Sequence, residues 1–386
     1  MSSQPFTLKW GILATGGIAK TFTKDLLIDP STRNVTDIRH EVVAAASSSS
    51  TSRAQDFLTD VGAPSSAKAY GSYANLAADK NVDIIYIATP HSHHYQNARL
   101  CLEAGKHVLC EKPFTVNAEQ TKILIDIARK RKLFLMEAVW TRFFPLAREV
   151  MQFVGEGRLG EVKRVWADLS FWNDVEKEFG TGHRMVNLDL AGGALLDLGV
   201  YSLTWVFQIL YHLQPLPRTP PIVSSTMTKY APTGCDSQTT VLLTFPSSGA
   251  HAIASTSLHI SSVPSPSHPS ATPAPVRIQG TLGELTIASP IYRPTSYTLI
   301  PASNAKRGKL ADFEYATKEF EVEGGGHGMF YEADECARCV RDGKGESEVC
   351  PLEESLEVMR VMDGVRGAGA LVYPGGLESV EFPLEV

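Results

Sequence analysis

The chain has 386 residues, 43% hydrophobic and 20% charged, with a formal net charge of −6. This length suits two domains of roughly 100–200 residues each, and the negative balance argues against nucleic acid or an anionic membrane as partner. No apolar run approaches bilayer-spanning length, and Met1-Ser2-Ser3-Gln4-Pro5 lacks the basic start and apolar stretch of a signal peptide, so a cytoplasmic protein is expected.

Lys9–Thr15 reads as a first strand, and Gly16-Gly17-Ile18-Ala19 opens a helix running to about Ile28. A strand, a glycine turn and a helix form the context of a dinucleotide fingerprint, in which free N–H groups at the helix start face a pyrophosphate. The match is imperfect, because Ala14 takes the first glycine position and Ala19 the last; a tight structural turn reads the same way. Thr15, Gly16, Gly17, Ile18 and Ala19 are the candidate contacts.

The next strand, Val42–Ala46, ends in Ser47-Ser48-Ser49-Ser50-Thr51-Ser52-Arg53. A carboxylate at this place accepts from the ribose 2′-hydroxyl of NAD. Hydroxyls and a guanidinium suit a 2′-phosphate instead, so Ser47, Ser48, Ser49 and Arg53 predict NADP. The same run also reads as a helix N-cap before Arg53, and the two roles coexist because both use the same N–H groups.

Asp83–Pro90 is a strand ending in turn chemistry, followed by His91-Ser92-His93-His94-Tyr95. Three histidines in four residues invite a metal, but no acidic or cysteine ligand stands nearby, and they fall at a helix start. No metal is expected. Thr89, Pro90, His91 and His94 are assigned to the cofactor pocket or to satisfying the loop backbone. After a helix stopped by Gly105, His107–Cys110 reads as a buried strand ending in Glu111-Lys112-Pro113. Charge at the carboxyl end of an apolar strand is poorly placed for folding and well placed for a ligand; an ordinary exposed loop lysine is the bland alternative. A helix near 117–132 and a strand over 133–138 complete an alternation that predicts a doubly wound parallel sheet. The domain boundary is expected at 139/140, leaving a Rossmann domain at 1–139 and an α+β domain at 140–386.

Thr89-Pro90 with His91 and His94, and Glu111-Lys112-Pro113, standing in register along residues 9–140, resemble the glucose–fructose oxidoreductase / inositol dehydrogenase (Gfo/Idh/MocA) superfamily. In that family the lysine lies beside nicotinamide and substrate. The resemblance adds Glu111 and Lys112 to the cofactor contacts and makes Lys112 catalytic.

In the second half, Met136–Pro145 interleaves aromatics with Arg142. Glu137, Trp140, Arg142 and Phe143 are candidates for the ligand cleft, Trp140 and Arg142 for the cofactor as well; core plus one rim charge is the alternative. Val162–Phe171 alternates like a strand and leads to Trp172-Asn173, and Gly182–Asn187 is a polar loop. Phe171, Asn173, Arg184 and Asn187 are assigned to the substrate. Leu190–Leu210 reads as a buried helix whose only charge is Asp197. Burying a carboxylate is costly unless it is paired, and Tyr201, four residues on, shares its face. Superfamily members usually carry Asp-x-x-x-His here. Tyrosine in place of histidine resembles the branch of dimeric dihydrodiol dehydrogenases and fungal NADP-dependent D-xylose dehydrogenases, where the tyrosine is the proposed acid/base.

Thr239–Phe245 and His251–His259 suggest an open, mainly antiparallel sheet, with 263–275, rich in proline and serine, as a surface loop. Gly324–Gly328 reads as a mobile turn before a helix over 329–341, and 352–365 as a last helix. Six scattered cysteines point to a reduced protein; Cys336 and Cys339 form a CxxC read as thiols near a buried helix face rather than a metal site.

The resemblance implies NADP-dependent oxidation of an aldose at C1, xylose favoured, with Lys112, Asp197 and Tyr201 as the catalytic set. The same machinery acting on trans-dihydrodiols or carbonyls is one alternative, and a non-enzymatic NADP-sensing regulator another. A homodimer through the C-terminal sheet is expected from the resemblance alone.

Overall fold

The computed structural model describes residues 4–263, 273–303 and 311–384. The chain divides into two compact units, one made of residues 1–140, 322–359 and 375–386, the other of 141–321 and 360–374.

The first unit is built on a six-stranded, wholly parallel sheet in the order β3-β2-β1-β4-β5-β6. Its strands are β1 (Phe6–Leu13), β2 (Ile38–Ala46), β3 (Lys68–Tyr70), β4 (Ile84–Ile87), β5 (His107–Glu111) and β6 (Leu135–Ala138). Helices α1 (Gly17–Leu26), α2 (Thr51–Val61), α3 (Tyr73–Ala78), α4 (His94–Glu103) and α5 (Ala118–Arg131) connect them. All four residues of β4 are buried, as an apolar strand covered on both faces must be. The doubly wound sheet read from the sequence is therefore present. Only β3 and α3, three and six residues long, carry no pattern long enough to be predicted.

The expected single cut at 139/140 misses the return of residues 322–359 and 375–386 to this unit. Buried polar contacts account for the return. The carboxylate of Asp25 accepts from the backbone N–H groups of His327 (3.0 Å) and Met329 (2.8 Å). These bonds hold the glycine turn before α8 (Phe330–Arg341), so the turn is anchored rather than loose. Gly326 has φ +74, and an added Cβ would lie 2.4 Å from Asp25 Oδ1, so only glycine lets the turn close on that carboxylate. On α8, Asp334 binds Arg33 at 2.7 Å and His40 at 2.9 Å with all three side chains buried. Burial pushes Asp334 up, but the bonds from Arg33 and His40 outweigh it and hold the carboxyl below the usual carboxylate range. Gln120 donates to the backbone carbonyls of Leu377 and Ser379. Such pairings across some 250–300 residues leave no trace in local periodicity. Cys336 and Cys339 are buried on α8 with free thiols, as read from the sequence.

The second unit begins with helix α6 (Pro145–Gly155) and carries an eight-stranded sheet in the order β14-β13-β12-β11-β7-β10-β9-β8. Its strands are β7 (Val162–Ser170), β8 (Ile222–Lys229), β9 (Asp236–Phe245), β10 (Ala250–Ser257), β11 (Val276–Gly280), β12 (Gly283–Ile287), β13 (Ser296–Pro301) and β14 (Ala316–Glu319). β7 and β10 pair in parallel, and every other neighbour pair is antiparallel. Most of the expected loop at 263–275 lies outside the described residues.

The helical run Leu188–His212 packs on β7 and β10. Contrary to the sequence expectation, it is long and apolar enough to cross a membrane, but 94% of its apolar 18-residue stretch is buried inside the fold. A helix apolar all round is buried, and here protein is the medium. It is not one regular helix. A π turn (Leu195–Gly199), α7 (Val200–Phe207) and a second π turn (Gln208–His212) follow one another. Ser202 pins α7 to the sheet, accepting from Leu169 N and donating to the Ser255 carbonyl, both at 2.9 Å. The last helix, α9 (Leu352–Ala368), is longer than expected by three residues at its end.

One buried acid of the first unit is unpaired. Glu332 on α8 is fully buried, and neither carboxyl oxygen has a hydrogen-bond partner among the described residues. Burial pushes its pKa well above the usual 4.5, and the Glu111 and Asp25 carboxylates push it the same way. The folded state thus keeps this proton to higher pH than the unfolded chain. Unfolding releases it, and stability falls as pH rises above 4.5. Glu332→Gln removes this titration. Thermal unfolding should show the variant gaining on the wild type from pH 5 to pH 8; parallel curves across that range would refute the assignment.

Candidate active site

At the carboxyl end of β1 the chain turns sharply into α1. Ala14 takes φ +84 there, a shape that costs a non-glycine residue about 1–2 kcal/mol, so alanine keeps the backbone that the first fingerprint glycine supplies. Gly16 is the N-cap of α1, with no side-chain cap and no acidic residue in the first turn. An added Cβ at Gly16 or Gly17 would meet nothing within 4 Å. The helix start is therefore open, with uncapped N–H groups suited to a pyrophosphate. Ala19 is buried in the fold, while Ile18 beside it stands exposed.

At the end of β2, the Ser47 and Ser49 hydroxyls lie 3.0 Å apart. Ser50 caps α2 by accepting from Arg53 N at 3.2 Å, so the cap is present, and Ser48 and Arg53 are exposed beside it. Hydroxyls, a helix N-terminus and a guanidinium without a carboxylate fit a 2′-phosphate.

The histidines after β4 are placed by backbone. His91–His93 forms a 3-10 turn, and α4 starts at His94. The His94 ring is buried between the Pro113 carbonyl (2.7 Å at Nδ1) and the Thr89 carbonyl (2.9 Å at Nε2). Burial first, then the charges of His91 and Lys112, push its pKa down to about 3, so the ring is neutral and donates to one of the two. It ties the Thr89-Pro90 segment to the turn after β5, which is the backbone role foreseen as one of two.

At that turn Tyr86 donates to Glu111 at 2.5 Å, and Lys112 N donates to the other Glu111 oxygen at 3.2 Å. The Lys112–Pro113 peptide is cis. Phe114 N donates to Glu137 at 3.0 Å. Glu111 and Glu137 thus fix the backbone on either side of Lys112 and Pro113, and Lys112 itself stays partly exposed. Glu137, assigned to substrate from sequence, is buried with a carboxylate engaged by the main chain. Trp140, Arg142 and Phe143 form a buried 3-10 turn.

In the second unit, Asp197 is buried and paired with Arg184 at 3.0 Å. The expectation that a buried carboxylate there needs a partner is met by a residue thirteen positions upstream. Arg184 is itself about half exposed, with 54% of its side chain accessible. Tyr201 is buried, its ring 5.8 Å from that of Tyr292, which is 6.1 Å from Phe171. Asn173 and Asn187 hold local backbone: Asn173 donates to the Phe171 carbonyl, and Asn187 accepts from Asp189 N. Tyr292, between β12 and β13, escaped the sequence reading. It sits in an irregular turn 91 positions from Tyr201, and only the tertiary fold makes it a neighbour.

Residues 8–139 match the family model described as an oxidoreductase family with an NAD-binding Rossmann fold, and residues 147–286 match the GFO/IDH/MocA C-terminal domain. The chain belongs to the GFO/IDH/MocA oxidoreductase family. It is 50% identical to the D-xylose 1-dehydrogenase (NADP(+)) of Hypocrea jecorina over 378 residues, 97% of this chain and 95% of that one. It is 35% identical to the trans-1,2-dihydrobenzene-1,2-diol dehydrogenase of Bos taurus, over 95% of this chain and 98% of the other. Among solved structures, the aldose-aldose oxidoreductase of Caulobacter crescentus superposes with a TM-score of 0.73 at 20% identity, covering 94% of this chain and 98% of that one. A 3-ketoreductase from Actinomadura kijaniata in complex with NADP gives 0.71 at 22%, with the same coverage. At these identities the two structures speak for the fold, and this oxidoreductase shares it.

Removing the Arg184 guanidinium leaves Asp197 buried without that ion pair. Arg184→Ala should lower kcat/KM about 10-fold, or about 1.4 kcal/mol, with dinucleotide affinity unchanged by titration. Unaltered kcat/KM would remove the pair from the working site.

Proposed function

We propose that this chain oxidises an aldose at C1 with NADP, most favourably D-xylose to its lactone. The observation that carries the reading is the 50% identity to the D-xylose 1-dehydrogenase (NADP(+)) along 97% of the chain. The serine-rich end of β2, with Arg53 and no carboxylate, supports NADP over NAD.

NADP, when bound, supplies the hydride acceptor. Gly16 and Gly17 would hold its pyrophosphate, and Ser47, Ser48, Ser49 and Arg53 its 2′-phosphate. Tyr201 takes the proton of the anomeric hydroxyl. A free tyrosine has a pKa of about 10, so a tyrosine base working near neutrality needs a neighbour that favours its phenolate. The resemblance assigns Lys112 to favour the phenolate as an ammonium, with Lys112 as the alternative base if burial strips its proton. An ionised Asp197 opposes that phenolate, and its pairing with Arg184 offsets the opposition.

A second reading, oxidation of trans-dihydrodiols, is supported by the 35% identity to the dihydrodiol dehydrogenase and by the Phe171, Tyr292 and Tyr201 rings, which suit an apolar ring. Six buried cysteines, none of them in a disulfide among the described residues, support a reducing, cytoplasmic setting. We also propose a homodimer through the outer face of the eight-stranded sheet, where Trp166 (45%), Leu242 (50%) and Ile222 (65%) stand exposed. Trp166→Glu should shift the particle toward the monomer mass in light scattering; the same mass for both forms would count against this face.

The deciding assay is NADPH absorbance with D-xylose, D-glucose, L-arabinose and a trans-dihydrodiol. Saturable reduction with D-xylose is expected, and turnover of the diol alone would move the assignment to the second reading. Tyr201→Phe should cost at least about 100-fold in kcat while NADP still binds; wild-type turnover would eliminate Tyr201 as the base.

A further inference from the structure

A second buried carboxylate lies beneath the helical run that carries Asp197 and Tyr201, outside every motif discussed so far. Asp236 is the first residue of β9 and is fully buried. Its Oδ2 accepts from Leu195 N at 2.7 Å and from the Thr239 hydroxyl at 2.9 Å. Its Oδ1 is buried with no hydrogen-bond partner among the described residues. Leu195 opens the first π turn of the helical run, and Asp197 and Tyr201 follow it by two and six residues. That turn therefore takes a cap from another element. A carboxylate at this end of a helix satisfies an orphan N–H and complements the dipole.

The preceding turn is shaped around that contact. Gly193 has φ +132, and an added Cβ would lie 2.1 Å from Asp236 Oδ1. At Gly192 an added Cβ would lie 2.6 Å from the Arg184 carbonyl and 2.8 Å from the Asn187 carbonyl. One glycine lets Asp236 close on the helix start, and the other lets the loop bearing Arg184 close on the turn. The Asp197–Arg184 pair thus joins two segments already pressed together at Gly192.

We propose that Asp236 is the positioning residue of the reaction: by capping Leu195 it fixes the axial setting of the run and so the placement of Asp197 and Tyr201. It touches neither substrate nor cofactor in this role. A misplacement of about 1 Å at a reacting group costs on the order of 100-fold, so a buried anchor two residues before Asp197 has leverage on turnover. This inference rests on the proton-transfer role given to Tyr201 above.

The test compares wild type, Asp236→Ala and Asp236→Asn. With NADP and D-xylose, Asp236→Ala should lower kcat at least 10-fold with NADP affinity within 2-fold of wild type. Asp236→Asn keeps an oxygen for Leu195 N and should recover most of that loss. Hydrogen exchange, which needs no substrate, should accelerate in peptides covering 195–201 of the Ala variant and stay unchanged in β4 and β5. Wild-type kcat in a folded Ala variant, equal losses in both variants, or unchanged exchange at 195–201 would each overturn the proposal. Should Asp236→Ala fail to fold, Thr239→Val releases the other bond to Oδ2. It should reduce kcat several-fold and quicken the same exchange, and no change in either would overturn the proposal. A wild type inactive on both D-xylose and a trans-dihydrodiol would fail the proposed function, while the exchange comparison still decides the role of Asp236.

Discussion

Buried carboxylates need donors, and this need organises both units. A carboxylate removed from water without partners is strongly unfavourable, so each buried acid draws in backbone or cationic groups from wherever the chain can supply them. Asp25 takes the N–H groups of His327 and Met329, and Asp334 takes Arg33 and His40. These two acids close the first unit around a parallel sheet whose strands end near residue 138. In the second unit Asp236 takes Leu195 N, and Asp197 takes Arg184. Glu332 departs from this pattern, and burial keeps it neutral by raising its pKa instead.

The same device shapes the chemistry. Glu111 and Glu137 accept from Tyr86, Lys112 N and Phe114 N, so the turn through Lys112 and Pro113 is held by its neighbours' side chains. The backbone that carries the lysine is thereby fixed. His94, neutral and buried between two carbonyls, adds a further clamp on that turn. Groups that read from the sequence as candidate ligands, Glu137, Asn173 and Asn187 among them, hold backbone in place. A polar side chain in a loop is as well suited to satisfying main chain as to binding a substrate, and residue type alone does not separate the two.

Local pattern was a sound guide wherever periodicity runs long. The strands and helices of the parallel sheet, the cap at Ser50, the αL stop at Gly105 and the helix capped by Asn117 follow from short-range rules. Leu190–Leu210 is legible as buried helix, but its two π turns are not, since an all-apolar run carries no periodicity that would mark them. β3 and α3 were too short to announce themselves.

By itself, the sequence determined the alternating α/β order of the first half, the glycine turn at the first helix, the carboxylate-free end of β2 and the register of Thr89-Pro90, Glu111-Lys112-Pro113 and Asp197 with Tyr201. Each is written within a few residues, where propensity, capping and chemistry act. The tertiary structure alone decided that Arg184 pairs with Asp197, that Tyr292 stands beside Tyr201, that Asp236 accepts from Leu195 N and that residues 322–359 return to the first unit. Those pairings join segments tens to hundreds of residues apart. What selects them is the satisfaction of buried charge and close packing across the fold, which no short window of sequence contains.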